Sequence, residues 1–130
     1  MSAAMIGCFM LLAESSWAQT SSSYALKVST SSNRSSPTDL EGTTQKGNIY
    51  VFTSPDTSNI KQVDFYLDDP NMTSSPKLTE KVAPYDFAGG STTVANPFDT
   101  TKISNGSHQI TAKITFSDGT TKSATASLAL

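Results

Sequence analysis

Alternation of apolar and polar residues dominates this chain from Tyr24 onward. Tyr24, Leu26 and Val28 form one alternating run, and Val63, Phe65 and Leu67 form a second. Successive side chains of a strand point to opposite faces, so a period of two indicates strands that bury one face. We therefore predict strands over residues 24–28 and 60–68.

The most regular alternation lies at the C-terminal end. His108, Ile110, Ala112, Ile114 and Phe116 share one parity, and Ala124, Ala126, Leu128 and Leu130 share one parity after the Asp118-Gly119 turn signal. A slip of one residue would expose every apolar side chain of a strand. This pattern predicts a hairpin with a fixed register.

The remaining apolar runs are shorter. Residues 48–53 are apolar on both parities, as in a central strand, and residues 78–82 read as a short, charged edge strand. One or two poorly defined strands are expected at Phe87 and over residues 92–98. About seven to eight short strands, without a convincing helix after residue 18, predict an all-β fold, an antiparallel β-sandwich.

Residues 1–18 differ from the rest and read as a signal peptide. Residues 3–13 form an apolar run of about the length of a signal core, and Ser16 and Ala18 are small residues suited to cleavage after Ala18. No Lys or Arg precedes the run, so either the start codon lies upstream or the signal is weak. The alternatives are a buried N-terminal helix or a lipid anchor at Cys8. Residues 19–23 form a linker, and residues 24–130 form the domain.

Export and composition narrow the class of protein. The leader predicts a secreted or extracytoplasmic protein, in the periplasm or at the cell surface. Cys8 is the one cysteine, so the domain can form neither a disulfide nor a thiolate metal site. Nine basic and eleven acidic residues are mixed along the chain. We therefore expect no nucleic-acid partner and, after signal cleavage, no membrane contact.

Three motifs resemble one family. They are V-D-F-Y-L-D at residues 63–68, A-P-Y-D-F at residues 83–87, and F-D-T-T followed by N-G-S-H-Q-I within residues 98–110. Together they resemble bacterial immunoglobulin-like domains of secreted and cell-surface proteins, over residues 24–130. The resemblance implies an immunoglobulin-like sandwich in an extracytoplasmic setting and brings no shared catalytic residues.

These motifs also contain residues that restrict or permit particular backbone conformations. Pro84 restricts Ala83 to extended geometry, so the chain can cross between sheets there. Asp99 can cap the backbone of Thr101 or Lys102. Gly106 permits a positive φ in the turn that precedes the last hairpin.

His108 is the single histidine of the chain. It stands at the start of a strand with core parity, so we expect a histidine at the edge of the core, hydrogen-bonded to backbone. Catalysis would need a nucleophile and an orienting acid beside it. A zinc site would lack its other nitrogen or sulfur ligands.

An oxygen-rich loop offers weak calcium candidates. Asp68, Asp69 and Asn71 stand close together, and Asp64 and Asp99 could lie near them. Calcium prefers such oxygen ligands, but the spacing matches no EF-hand and Pro70 interrupts it. A solvated turn is the default expectation, and no cofactor is predicted.

Tyr66 is a weak candidate for stacking on a sugar. It has the parity opposite to Phe65 and Leu67, which predicts an exposed ring. Tyr85, which follows Pro84, is expected to be packed.

The sequence thus predicts a module that is not an enzyme. It would act as a structural spacer or protein-interaction domain whose partners are other domains or surface proteins. The alternative is a carbohydrate-binding or adhesion module with a polysaccharide partner, and an exposed row of aromatic side chains would favour it.

Overall fold

The computed structural model describes residues 23–130, which fold into two packed sheets. The strands are β1 (Ala25–Ser29), β2 (Thr38–Asp39), β3 (Thr43–Thr44), β4 (Asn48–Ser54), β5 (Ile60–Leu67), β6 (Leu78–Glu80), β7 (Phe98–Asp99), β8 (Ser107–Phe116) and β9 (Thr121–Ala129). The all-β sandwich is confirmed. The expected signal peptide and the linker residues 19–22 lie outside the described residues.

The strands are divided into a four-stranded sheet, in the order β2-β1-β4-β7, and a five-stranded sheet, in the order β3-β9-β8-β5-β6. One pairing is not antiparallel, since β3 runs parallel to β9. After β2 the chain leaves the four-stranded sheet and reaches the edge of the five-stranded sheet within a few residues. There β3 runs in the same direction as its neighbour β9. The predicted antiparallel sandwich is confirmed, with one short parallel pairing at this edge.

The core lies between the sheets and comes from the alternating residues. It includes Leu26, Val28, Ile49, Val51, Val63, Phe65, Phe87, Phe98, Ile110, Ala112, Ile114, Phe116, Ala126 and Leu128. Phe87 packs edge-on against Phe65 at 5.9 Å and against Phe98 at 4.9 Å between ring centroids. Such edge-to-face pairs add to the burial energy of the aromatic rings.

The predicted hairpin is confirmed in its register. β8 and β9 pair from Ser107 with Ala129 to Thr115 with Thr121. Gly119 adopts a φ of 90° in the turn, and the Asp118 carboxylate accepts a hydrogen bond from the Thr120 amide at 2.9 Å. At the other end, Gly106 has the expected positive φ, and its backbone exchanges two hydrogen bonds with Leu130.

The predicted crossing at Pro84 is also confirmed. β6 belongs to the five-stranded sheet, whereas Tyr85 and Phe87 bond to Thr53 and Val51 of β4 in the other sheet. β6 is an edge strand as expected, but it ends at Glu80 rather than at residue 82, because the crossing has already begun.

The segment before β7 forms less strand than expected. Residues 92–98 contribute one isolated bridge, between Gly90 and Ala95, and the start of β7. A 3₁₀ helix follows over Thr100–Lys102, and the Asp99 carboxylate accepts from the Thr101 amide at 3.0 Å, which confirms the predicted cap. Among residues 23–130 no helix has the length and apolar character that crossing a bilayer requires.

Candidate functional site

His108 stands near the start of β8, where the loop after β5 approaches it. Its Nδ1 lies 2.6 Å from Oδ2 of Asp68, and its Nε2 lies 2.7 Å from the carbonyl oxygen of Ser104. The other oxygen of Asp68 accepts from the Gln109 amide at 2.9 Å. One carboxylate therefore holds both the ring and the backbone of β8.

Both neighbours of the ring are acceptors, so both ring nitrogens must carry a proton to satisfy them. The charged imidazolium is therefore the form of the ring that satisfies both acceptors. The hydrogen bond with Asp68 raises the pKa of His108, and the hydrogen bond to the Ser104 carbonyl raises that pKa further. The prediction of a core-edge histidine bonded to backbone is confirmed. Its pairing with Asp68 was not foreseen.

Ser104, His108 and Asp68 together bear a formal likeness to a hydrolase triad. The Ser104 hydroxyl lies 3.4 Å from Nε2, whereas its carbonyl oxygen lies at 2.7 Å. A general base must offer a free lone pair to the hydroxyl proton. Nε2 instead donates to the carbonyl, and the ring is only 8% exposed. In this geometry the His108 ring joins the loop that carries Asp68 to the loop that carries Ser104.

An open cavity of about 320 Å³ lies beside this network. Asp68, Ser107, His108, Gln109 and Ser127 line it. The carboxylate of Asp68 is half exposed here, with 47% of its side chain accessible, but both of its oxygens already accept hydrogen bonds. The cavity has polar walls, and the carboxylate and the imidazole that line it are both engaged in hydrogen bonds.

The three weak calcium candidates point to different partners. Asp68 turns toward His108, while Asp69 accepts four hydrogen bonds from the amides and hydroxyls of Thr73 and Ser74. The side-chain and backbone hydrogen bonds from Ser74, followed by those from Thr73, lower the pKa of Asp69. Asn71 is exposed. Within the described residues no group of three or more His, Cys, Asp or Glu side chains could hold a metal ion.

The Tyr66 ring is not exposed, although stacking on a sugar requires an exposed ring. Its side chain is on the outer parity of β5, as expected, but it is only 7% exposed. Its cross-strand neighbour Thr111 is 1% exposed on the same outer parity. The expectation of an exposed ring was wrong, since Tyr66 is buried together with its outer-face neighbours Asp64 and Thr111. Burial also raises the pKa of Tyr66.

The other tyrosines give no exposed aromatic row. Tyr85 is packed in the core, as predicted. Tyr24 is half-buried against Phe116, at 5.5 Å between ring centroids, and Tyr50 is half-buried on β4. Tyr24 and Tyr50 are the half-buried tyrosines in the described part of the chain. Tyr24 precedes β1, whereas Tyr50 lies on β4 opposite Ser29, at the other end of β1.

A second polar cluster, which the sequence did not reveal, joins two distant segments. Arg34 donates two hydrogen bonds to the Asp86 carboxylate, at 2.9 and 2.6 Å. Asp86 is 1% exposed, and the Arg34 side chain is 10% exposed. Arg34 also donates to the carbonyl oxygens of Ser91 and Thr92, at 2.8 and 3.4 Å. The guanidinium group thereby fixes the loop from residue 86 to residue 92.

Two further carboxylates lie near this ion pair. Burial first, and then the negative charge of Asp86, raise the pKa of both Asp56 and Glu80. Hydrogen bonding to Asp86 raises the pKa of Arg34. Arg34 is thus the counter-charge for several acids, and its role here is structural.

The largest exposed apolar side chains lie beside this cluster. Val82 is 71% exposed and Val94 is 52% exposed. Val82 lies at an open cavity of about 400 Å³, which is lined by Glu80, Lys81, Val82, Ala83, Pro84, Gly90, Ser91 and Thr92. We call this region the crossing face.

Comparison with known proteins gives a likeness of fold and no match of sequence. No family model matches the chain. No curated protein matches it either. The fold is similar to the fibronectin(III)-like modules of CbhA from Clostridium thermocellum, with 15% identity and a TM-score of 0.44 over 69% of this chain and 87% of that chain. No residue role follows from that likeness, and membership of the bacterial immunoglobulin-like family stays a prediction.

Proposed function

We propose that this chain is an exported, non-catalytic immunoglobulin-like module that serves as a structural spacer or protein-interaction domain of a secreted or surface protein. One observation carries the proposal. His108, the single histidine and the most reactive candidate of the described domain, uses both ring nitrogens to hold loops together. Its geometry supports a role in fastening the fold rather than in chemistry.

The Arg34–Asp86 pair supports the same role. It is bidentate, and it links positions 52 residues apart in the chain. Breaking a buried pair of this kind typically costs about 3–5 kcal/mol, because the remaining charge is left buried. A module that keeps such ties in its loops resists local opening, which suits a spacer.

The crossing face supports the protein-contact role. Exposed apolar side chains that stand singly need no explanation, but Val82 lines this cavity, and Val94 lies two residues beyond Thr92, which also lines it. A partner that covers both valines would remove apolar surface from water without disturbing the sandwich. The leader composition of residues 1–18 supports export.

The polysaccharide alternative has lost its leading residue, since Tyr66 is buried. It is tested by measuring the binding of residues 19–130 to a panel of polysaccharides by calorimetry, with and without calcium. Tyr50→Ala and Tyr24→Ala serve as the aromatic variants, because these two rings retain accessible surface. Circular dichroism and cooperative unfolding confirm that each variant is folded.

The two outcomes separate the hypotheses. No binding by a cooperatively folded protein supports the spacer or protein-contact role. Saturable binding that a folded Tyr50→Ala or Tyr24→Ala variant loses would replace that role with sugar recognition. Hydrolysis of ester or glycoside substrates that His108→Gln abolishes would overturn the non-catalytic assignment.

A further inference from the structure

One long strand edge of the domain is open. β9 pairs with β8 from Thr121 to Ala129, but on its other side β3 covers only Leu128 and Ala129. Ser127 is also engaged there, because its carbonyl accepts from the Gly42 amide and its amide donates to the Glu41 carboxylate. From Thr121 to Thr125 no strand of the described chain lies beside this edge.

The bonds at Ser127 identify the backbone groups that face outward. Ser127 and Ala129 direct their amide and carbonyl groups away from β8. Because these directions alternate along a strand, Thr121, Ser123 and Thr125 do the same. All three residues are exposed. None carries a charge or is a proline, so the usual devices that block an open edge are missing at these positions.

We propose that this edge, residues 121–125, is a self-association surface on which a second copy of the chain pairs antiparallel about a two-fold axis at Ser123. The two five-stranded sheets then form one continuous sheet. This proposal deepens the protein-contact role proposed above, because it names a second copy of the chain as the partner. It depends on that role in no other respect.

The register follows from the two ends of the open edge. The Asp118-Gly119 turn closes one end, and Glu41 and Gly42 occupy Ser127 at the other. A two-fold axis at Ser123 places Thr121 opposite Thr125 of the second copy and Ser123 opposite itself. All three are outward-facing positions. The two-fold axis repeats the Thr121–Thr125 pair, so three residue pairs form, and they exchange about six hydrogen bonds, two for each pair.

The side chains are compatible with this register. Thr–Thr pairs across strands are favourable. The same sheet already contains one, between Thr111 and Thr125, with 2.9 Å between their hydroxyl oxygens. The residue that faces itself, Ser123, is small and uncharged. No like charges face each other on the outer face.

Charge favours a second copy over an unrelated strand. Lys122 has the parity of Ala124 and would stand opposite Ala124 of the second copy. Ala124 lines an open cavity of about 250 Å³ whose walls include Asp39 and Glu41. In its own chain the Lys122 ammonium lies 5.8 Å from the centre of the Tyr24 ring, and Tyr24 lines the same cavity. Each copy therefore brings a cation to the other's acidic cavity.

The test is the oligomeric state of residues 19–130, measured by sedimentation velocity from low micromolar to millimolar concentration. We expect a reversible monomer–dimer equilibrium. Ser123→Lys places two ammonium groups against each other at the axis and should weaken the dimer about tenfold or more. Ser123→Pro removes the outward amide without touching the β8 ladder, and it should leave a folded monomer.

Thr115→Lys is the matched control. Thr115 is on the outer face of β8, opposite Thr121, one strand away from the edge. The same charge there should leave the dimer intact. In the wild-type protein, amide exchange at Ser123 should slow as concentration rises, while exchange at exposed Lys61 should not change.

A wild-type protein that stays monomeric throughout overturns the proposal. A dimer that Ser123→Lys and Ser123→Pro leave unchanged also overturns it, as does one that Thr115→Lys weakens equally. These results are independent of the polysaccharide assay, which tests the proposed function. The two can therefore fail separately.

Discussion

The β8–β9 hairpin and the segment from Lys81 to Phe98 are held in place by different means. The hairpin has a continuous ladder of nine residue pairs, and its apolar residues alternate throughout. The segment has isolated bridges and no strand of its own before β7. Arg34, which lies outside the segment in sequence, fixes its loop through Asp86, Ser91 and Thr92. Regular structure stabilises the first region, whereas side-chain ties stabilise the second.

The largest expected effect on stability comes from breaking the Arg34–Asp86 ion pair, which holds the segment from Lys81 to Phe98 in place. Asp86→Asn removes the charge partner of a nearly buried guanidinium group and should lower the free energy of unfolding by about 3 kcal/mol. Nearby Asp56 and Glu80 compensate in part, which places the effect at the low end for such pairs. Urea denaturation measures it.

Asp39→Asn is the control for that prediction. Asp39 pairs with Lys27 at 2.5 Å, but 68% of the Asp39 side chain is exposed. An exposed pair contributes about 1 kcal/mol or less. Equal losses in Asp86→Asn and Asp39→Asn would contradict the structural role of the buried pair.

Substitution of one glycine in each region compares how well the two turns tolerate a side chain. A Cβ at Gly90 would lie 2.6 Å from the Val94 carbonyl oxygen, whereas one at Gly119 would have nothing within 4 Å. Both have positive φ, so each substitution by alanine costs about 1–2 kcal/mol in backbone strain. Gly90→Ala must also displace backbone, and its unfolding midpoint should fall further than that of Gly119→Ala. The reverse order would show that the loop around Gly90 yields easily.

Replacement of two buried threonines by valine should change the stability of the protein in opposite directions. The Thr53 hydroxyl, where β4 receives the crossing segment, is buried without a hydrogen-bond partner among the described residues. Thr53→Val should stabilise the protein by about 1 kcal/mol, because it removes an unsatisfied polar group. Thr111→Val in the hairpin should destabilise it by about 1 kcal/mol, because Thr111 bonds to Thr125. Thermal unfolding of both variants checks the signs.

His108 provides the smallest expected effect, and that effect depends on pH. The folded pKa of His108 is raised above its ordinary value of 6.5, so its contribution to stability is complete below about pH 6.5 and is lost as pH rises through the folded pKa. The difference in unfolding free energy between wild type and His108→Gln should shrink accordingly. A difference that is constant across this range would mean that the ring acts through packing rather than through its charge.

Much of the hairpin could be predicted from the sequence because its information is local. The alternation from His108 to Phe116 sets the buried face, and Asp118 and Gly119 set the turn. The Asp99 cap and the crossing at Pro84 were likewise predictable, since each depends on neighbouring residues. Phe87 was expected near a short strand, and it is the aromatic centre of the core.

The candidate site was only partly predictable. His108 was correctly expected to bond to backbone, but its pairing with Asp68 was not predicted. Asp68 was expected in a solvated turn and was only a weak calcium candidate, because spacing alone does not show which way a carboxylate turns. The Tyr66 prediction failed for a related reason. Parity assigns a side chain to a face, but it does not report what covers that face.

The sequence by itself determined the all-β class, the strand parities and the local turns, because these follow from the properties of residues close together in the chain. Only the tertiary structure decided the pairing of Arg34 with Asp86, the tie between His108 and Asp68, and the open edge of β9. These depend on which distant segments meet when two sheets pack, and charged side chains at the ends of strands leave no periodic signal of their partners.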